Sequence, residues 1–132
     1  MTENPGPESA HRRPHSAPMV GPYLEVDLGR EIGQLHRESP WQGGQNARTL
    51  VKFDDFRIVL TALKAGERIA QHQNRGRISI HLLSGHIRAN ARGRTFDLRP
   101  GSLLALDRDT PHELEALEES AFLLTIAWPG AA

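Results

Sequence analysis

The chain of 132 residues has no cysteine. Disulfide staples, thiolate metal sites and a cysteine nucleophile are therefore excluded, and the fold has to stand on packing alone. An excess of one charge is lacking as well: 16 Lys plus Arg stand against 16 Asp plus Glu. Nothing in that balance suggests a nucleic-acid footprint. Aromatic residues are scarce, at 5%. Tyr23, Trp41, Phe53, Phe56, Phe96, Phe122 and Trp128 do not form the basic-interleaved platform on which single-stranded nucleic acid stacks. Long apolar runs are missing too. The longest, Ala121 to Trp128, is interrupted by Thr125, whereas a membrane-spanning helix needs about 20 residues. Prolines, two histidines, Arg12 and Arg13 break up the N-terminus, which has no apolar stretch of the kind a secretory signal uses. The expectation is a cytoplasmic protein with no membrane and no nucleic-acid partner.

What is present divides the chain into three parts. Residues 1–22 hold five of the nine prolines among Ser, Gly and charged residues, too little apolar surface to offset the entropy of ordering them. They read as a disordered tail. Residues 23–47 read as a helix and a loop. Asp27 is placed to cap the helix, Leu28, Ile32 and Leu35 recur at i, i+4 and i+7, Pro40 stops it near Ser39, and Gly43-Gly44 opens the loop.

Residues 48–132 change to a period of two. Nine short apolar runs alternate with turn formers: Thr49–Phe53, Phe56–Leu63, Arg68–His72, Arg77–Leu83, Ile87–Ala91, Thr95–Leu98, Ser102–Leu106, His112–Leu117 and Phe122–Trp128. Nine strands with no helix between them predict an all-β antiparallel sandwich or barrel.

A more specific pattern begins at Gly66. The segment Gly66-Glu67-Arg68-Ile69-Ala70-Gln71-His72-Gln73-Asn74, followed by Arg77-Ile78 and Gly85, resembles the first motif of the cupin superfamily. Gly93 to His112, with its Pro100-Gly101 turn and Pro111-His112 ending, resembles the second. The two motifs and their flanking strands span Thr49 to Trp128. The resemblance implies a small cupin-type antiparallel β-barrel, jelly-roll-like, of the conserved-barrel kind, and a homodimer paired through edge strands.

The resemblance also implies a ligand set of two His, one Glu and a final His around a divalent ion such as iron, manganese, nickel or zinc. His72 matches the first ligand and His112 the last. Asn74 stands in place of the second His and Ile78 in place of the Glu. A neutral amide is a poor substitute for imidazole, an isoleucine coordinates nothing, and catalytic sites usually keep about three protein ligands.

Strand alternation puts His112 in phase with Leu114 and Ala116 and leaves Glu113 and Glu115 on a solvated face. His81 falls on the face opposite Ile78, Ile80 and Leu82, and His36 and His86 read as surface residues. Phe122 and Trp128 share a phase with Leu124 and Ile126 and read as core. Gln73, Arg75 and Arg77 follow His72 closely and suggest an anion held near the barrel mouth.

The expected ligand pocket is thus His72, Gln73, Asn74, Arg77, Ile78 and His112, with His72 and His112 the only metal-ligand candidates. No Gly-x-Ser-x-Gly elbow, phosphate loop or His-Glu-x-x-His is present. The sequence favours a cupin with a degraded metal site that binds a small molecule in a sensing or accessory role. The alternative is a metal-dependent oxygenase or isomerase working with the two remaining histidines.

Overall fold

A computed structural model of the chain describes residues 21–38, 41 and 43–129. The expected disordered tail lies outside them over residues 1–20, as does the expected helix end at Ser39. The first element, α1 (Leu28–Arg37), starts where the capping pattern places it. The Asp27 carboxylate accepts a hydrogen bond from the Arg30 backbone N–H at 3.2 Å, which satisfies one of the four donors a helix N-terminus leaves unpaired. At the other end Glu38 turns extended, and Asn46 Nδ2 donates to the Leu35 carbonyl at 3.0 Å.

Nine strands follow: β1 (Gln45–Lys52), β2 (Phe56–Leu63), β3 (Arg68–His72), β4 (Arg77–Ser84), β5 (Ile87–Ala91), β6 (Arg94–Leu98), β7 (Leu103–Leu106), β8 (His112–Ala116) and β9 (Ser120–Ala127). β1 begins at Gln45, inside the stretch that reads as loop. Gln45 to Arg48 carry no alternating apolar pattern. Their strand character comes from backbone pairing with β2, from Gln45 opposite Leu63 to Arg48 opposite Leu60.

Every strand pairing is antiparallel. The strands form two sheets, ordered β1-β2-β9-β4-β7 and β3-β8-β5-β6. Among the described residues the pairing does not close into a ring, so the expected barrel is a two-sheet sandwich. No helix among them is long and apolar enough to cross a membrane.

The five-stranded sheet is buried on both faces. Its inner face contributes Leu63, Ile78, Ile80, Leu82, Phe122 and Ile126 to the core shared with the smaller sheet. Its outer face contributes Leu50, Leu60 and Ala62, which pack under Leu35 of α1. A strand covered on both sides reads as a mostly apolar run, as Phe56–Leu63 does apart from Arg57 and Thr61.

One polar group sits within that outer layer. Arg48 of β1 is only 2% exposed. Its guanidinium meets Glu31 Oε1 at 2.5 Å, Gln34 Oε1 at 3.1 Å, and Glu38. Two carboxylates seven residues apart, Glu31 on α1 and Glu38 at its C-cap, thus converge on a single buried cation and fix the helix to the sheet.

Removing the acids leaves that cation buried without its charge partners, whereas removing the cation leaves carboxylates that solvent can reach. Urea unfolding should therefore show the double variant E31Q/E38Q destabilised by about 3 kcal/mol, and R48M by less.

Candidate functional site

The site is built on the pairing of β3 with β8. Ile69 lies opposite Leu114 and His72 opposite His112, so three steps along β3 match only two along β8. The extra residue is a bulge. In a regular strand Ile69 and His72, an odd number apart, face opposite ways. The bulge brings His72 round to the side that Ile69 and His112 share. β8 itself alternates cleanly, with His112, Leu114 and Ala116 buried and Glu113 and Glu115 partly exposed.

The two imidazole rings face one another with centroids 4.3 Å apart and planes at 57°. His112 is 3% exposed, while His72 is open to solvent, so the pair spans the boundary between core and water. Each ring is held in the same way. His72 Nδ1 lies 3.1 Å from the Ala70 carbonyl and His112 Nδ1 lies 3.0 Å from the Thr110 carbonyl. A carbonyl only accepts, so each Nδ1 carries the proton and donates. In the neutral ring this leaves Nε2 with its lone pair.

Burial holds the His112 pKa below the ordinary imidazole value. The hydrogen bond to Thr110 opposes that shift, and the neighbouring His72 adds to it.

The other expected site residues fall differently. Gln73 is exposed in the loop after β3. Asn74 Oδ1 accepts from the Gly76 N–H at 3.0 Å, and the Asn74 carbonyl accepts from the Asp109 N–H at 2.8 Å. Asn74 therefore shapes the turn below the histidines. Gly76 is required there, since a Cβ would lie 2.6 Å from the Ala127 carbonyl oxygen.

Ile78 is a core residue, opposite both Ile126 and Leu106. Arg77, the next residue along the same strand, necessarily points the other way. It is exposed, and its Nε meets Asp107 Oδ1 at 3.0 Å. Because strand alternation separates Arg77 from Ile78, the two do not line one pocket.

This donor set does not fit a resident metal. Among the described residues no three His, Asp or Glu come together as an ion's ligands. Ile78 offers no donor, and the Asn74 oxygen already accepts a backbone hydrogen bond. Two imidazoles fall short of the three protein ligands such sites keep.

The remaining histidines lie elsewhere. His81 pairs with Leu103 and Leu123 on the outer face of the large sheet. His36 stacks on Trp41 and approaches Glu119 at 3.1 Å. His86, expected at the surface, has a side chain only 13% exposed, with Nε2 2.5 Å from Asp97 Oδ1. That contact is the main reason the Asp97 carboxyl lies below its usual range. Glu115 pairs with Arg68 at 3.3 Å, in keeping with a solvated outer face on the small sheet.

Arg57 went unnoticed in the sequence. It lies in β2 in phase with Val59, Thr61 and Leu63, on the inner face. Its cross-strand row runs Arg57, Ile126, Ile78, Leu106. The guanidinium rests over the Trp128 ring at 5.1 Å, and Arg57 Nε is buried with no hydrogen-bond partner. The sequence signal is its even spacing from Leu63, but that phase is half polar while Phe56, Ile58, Leu60 and Ala62 are all apolar, so alternation alone assigns the core to the other phase.

No protein-family profile matches the sequence, and no curated protein matches it. Solved structures do match in shape. A conserved protein of unknown function from Streptococcus pyogenes is 26% identical, covering 85% of this chain and 93% of its own, with a TM-score of 0.69. A cupin superfamily protein from Desulfitobacterium hafniense is 16% identical over 72% of this chain and 87% of its own, with a TM-score of 0.66. Salicylate 1,2-dioxygenase from Pseudoaminobacter salicylatoxidans is 17% identical over 76% of this chain but only 31% of its own, with a TM-score of 0.62. The chain has the cupin fold, which hosts many activities and does not by itself name one.

The depressed His112 pKa fixes the sign of a pH dependence. Between the folded value and the ordinary 6.5, the unfolded chain binds more protons than the folded one. This contribution to stability is complete above about 6.5 and is lost as pH falls toward the folded value. An NMR titration should place the His112 transition below 6.5, and the urea midpoint should drop between about pH 7.5 and 5.5, more steeply than in H112Q.

Proposed function

We propose that the chain is a small-molecule-binding module whose ligand enters at the His72–His112 end of the sandwich, serving in a sensing or accessory role. One observation carries the reading: two imidazoles placed face to face by a bulge, each fixed by a hydrogen bond to its own backbone, at the exposed margin of an otherwise apolar core. Convergent polar groups against an apolar wall are the usual make-up of a ligand site. The core wall here is Ile78, Ile126, Leu114 and Trp128. With each Nδ1 committed to a carbonyl, the chemistry left to the rings lies at Nε2, where a neutral imidazole accepts a hydrogen bond or a proton.

The missing Glu and second His weigh against the metal-dependent oxygenase or isomerase. What keeps that second reading in play is the pair of free Nε2 lone pairs, the atoms a metal would use. One preparation tests both readings. The untagged protein, produced in medium supplemented with iron, manganese, nickel and zinc, should carry far less than one metal ion per chain. A fragment screen followed by amide chemical shifts should place bound compounds around His72 and His112, with affinity at least tenfold lower in H72A and H112A. Near-stoichiometric metal that disappears in both variants would overturn the binding-module reading in favour of the enzyme. Compounds bound only elsewhere would overturn the site.

A further inference from the structure

We infer that Arg57 is the anion-holding group of this site and that its ligand carries a carboxylate. The inference rests on the site proposed above and adds the chemical class of its ligand.

Placement comes first. Phe56 at the start of β2 and Arg77 at the start of β4 both lie opposite Ala127 of β9, and β4 follows directly on the end of β3, while at the other end Gly66 and Glu67 bond to Ala116 at the far end of β8. The start of β2 therefore lies at the same end of the sandwich as the end of β3 and the start of β8. These carry Arg57, His72 and His112. The end of β9, with Ile126 and the following Trp128, and the start of β4, with Ile78, complete that end. Arg57 shares the inner face with them.

Charge comes second. Among the described residues Arg57 has no ion pair and no hydrogen bond, only the Trp128 ring beneath it. Its cross-strand neighbours, Lys52 and Ile126, bring no negative charge. Among the described residues no carboxylate pairs with Arg57: Asp54 and Asp55, just before β2, are exposed and meet it in no ion pair, Asp107 pairs with Arg77 on the other face of β4, and Glu113 and Glu115 lie on the outer face of β8.

Arg48, on the outer face under α1, also has a buried Nε without a partner, but its terminal nitrogens are clasped by Glu31, Gln34 and Glu38, whereas those of Arg57 meet no acid among the described residues. A buried donor on a guanidinium without a partner is costly, and native proteins satisfy nearly all such groups. Cation–π stacking engages the face of the guanidinium and leaves its N–H donors in plane, where they match the two oxygens of a carboxylate. The apolar wall of Ile78, Ile126 and Trp128 then suits a hydrophobic remainder of the ligand. Arg77, the cation expected from the sequence, is tied to Asp107 outside.

The test titrates the protein with small monocarboxylates, acetate, propionate, butyrate and benzoate, each beside its neutral amide, in wild type, R57K, R57M and R77M. Wild type and R77M should prefer each acid to its amide. R57M should lose at least tenfold in affinity for the acids and little for the amides, with R57K in between. In wild type the Arg57 Nε–H resonance should shift with the acid and not with the amide, a readout that no variant's folding can affect.

Equal binding of acid and amide around His72 and His112, with Arg57 Nε–H unmoved, would overturn the carboxylate inference and leave the site standing. Binding of neither class of compound at that end would defeat both.

Discussion

A strand has two faces and its residues take them alternately, so a single extra residue reverses everything after it. The bulge between Ile69 and His72 is that residue here. It places an imidazole from the small sheet's edge strand against one from its neighbour, at the margin where the apolar core meets water. Were β3 regular, Gln71 would hold the inward place and His112 would face no second ring. The turn below is made rigid by Asn74 and Gly76, so the bulged strand is closed off at the point where His72 needs fixing.

Around that pairing the large sheet is covered twice, by the small sheet on one side and by α1 on the other. Double coverage makes any charge within the sheet conspicuous, because each buried charge needs a partner. Arg48 has its partners in the helix acids and acts as an anchor. Arg57 has no such partner among the described residues, lies on the face toward the small sheet rather than the helix, and stacks on Trp128. Two arginines in adjacent strands thus differ in consequence only through the face each occupies.

Much of the architecture is legible in the sequence because it depends on local, periodic signals. Asp27 and the Leu28, Ile32, Leu35 spacing give the helix, and alternation between turn formers gives the strands. The antiparallel cupin-type arrangement follows from the glycines and histidines around Gly66 and Pro111. The start of β1 is not legible, since Gln45 to Arg48 owe their strand to pairing and to the helix rather than to side-chain pattern. His86 is misread for a related reason: its cover comes from Asp97 across a strand pair, which spacing does not reveal. Closure is the other difference, two sheets facing each other rather than one continuous ring.

The identities in the site were fixed by sequence alone: His72 and His112 present, imidazole absent at Asn74, carboxylate absent at Ile78. That is chemistry carried by residue type, and no folding alters it. Which side chains meet was settled only in three dimensions. The bulge turned His72 toward the side of His112, alternation sent Arg77 out to Asp107, and a strand whose wholly apolar phase packs under the helix hid the inward course of Arg57. Composition determines which groups exist, but strand register and burial on two faces determine which of them share a space, and those depend on partners far away in the chain.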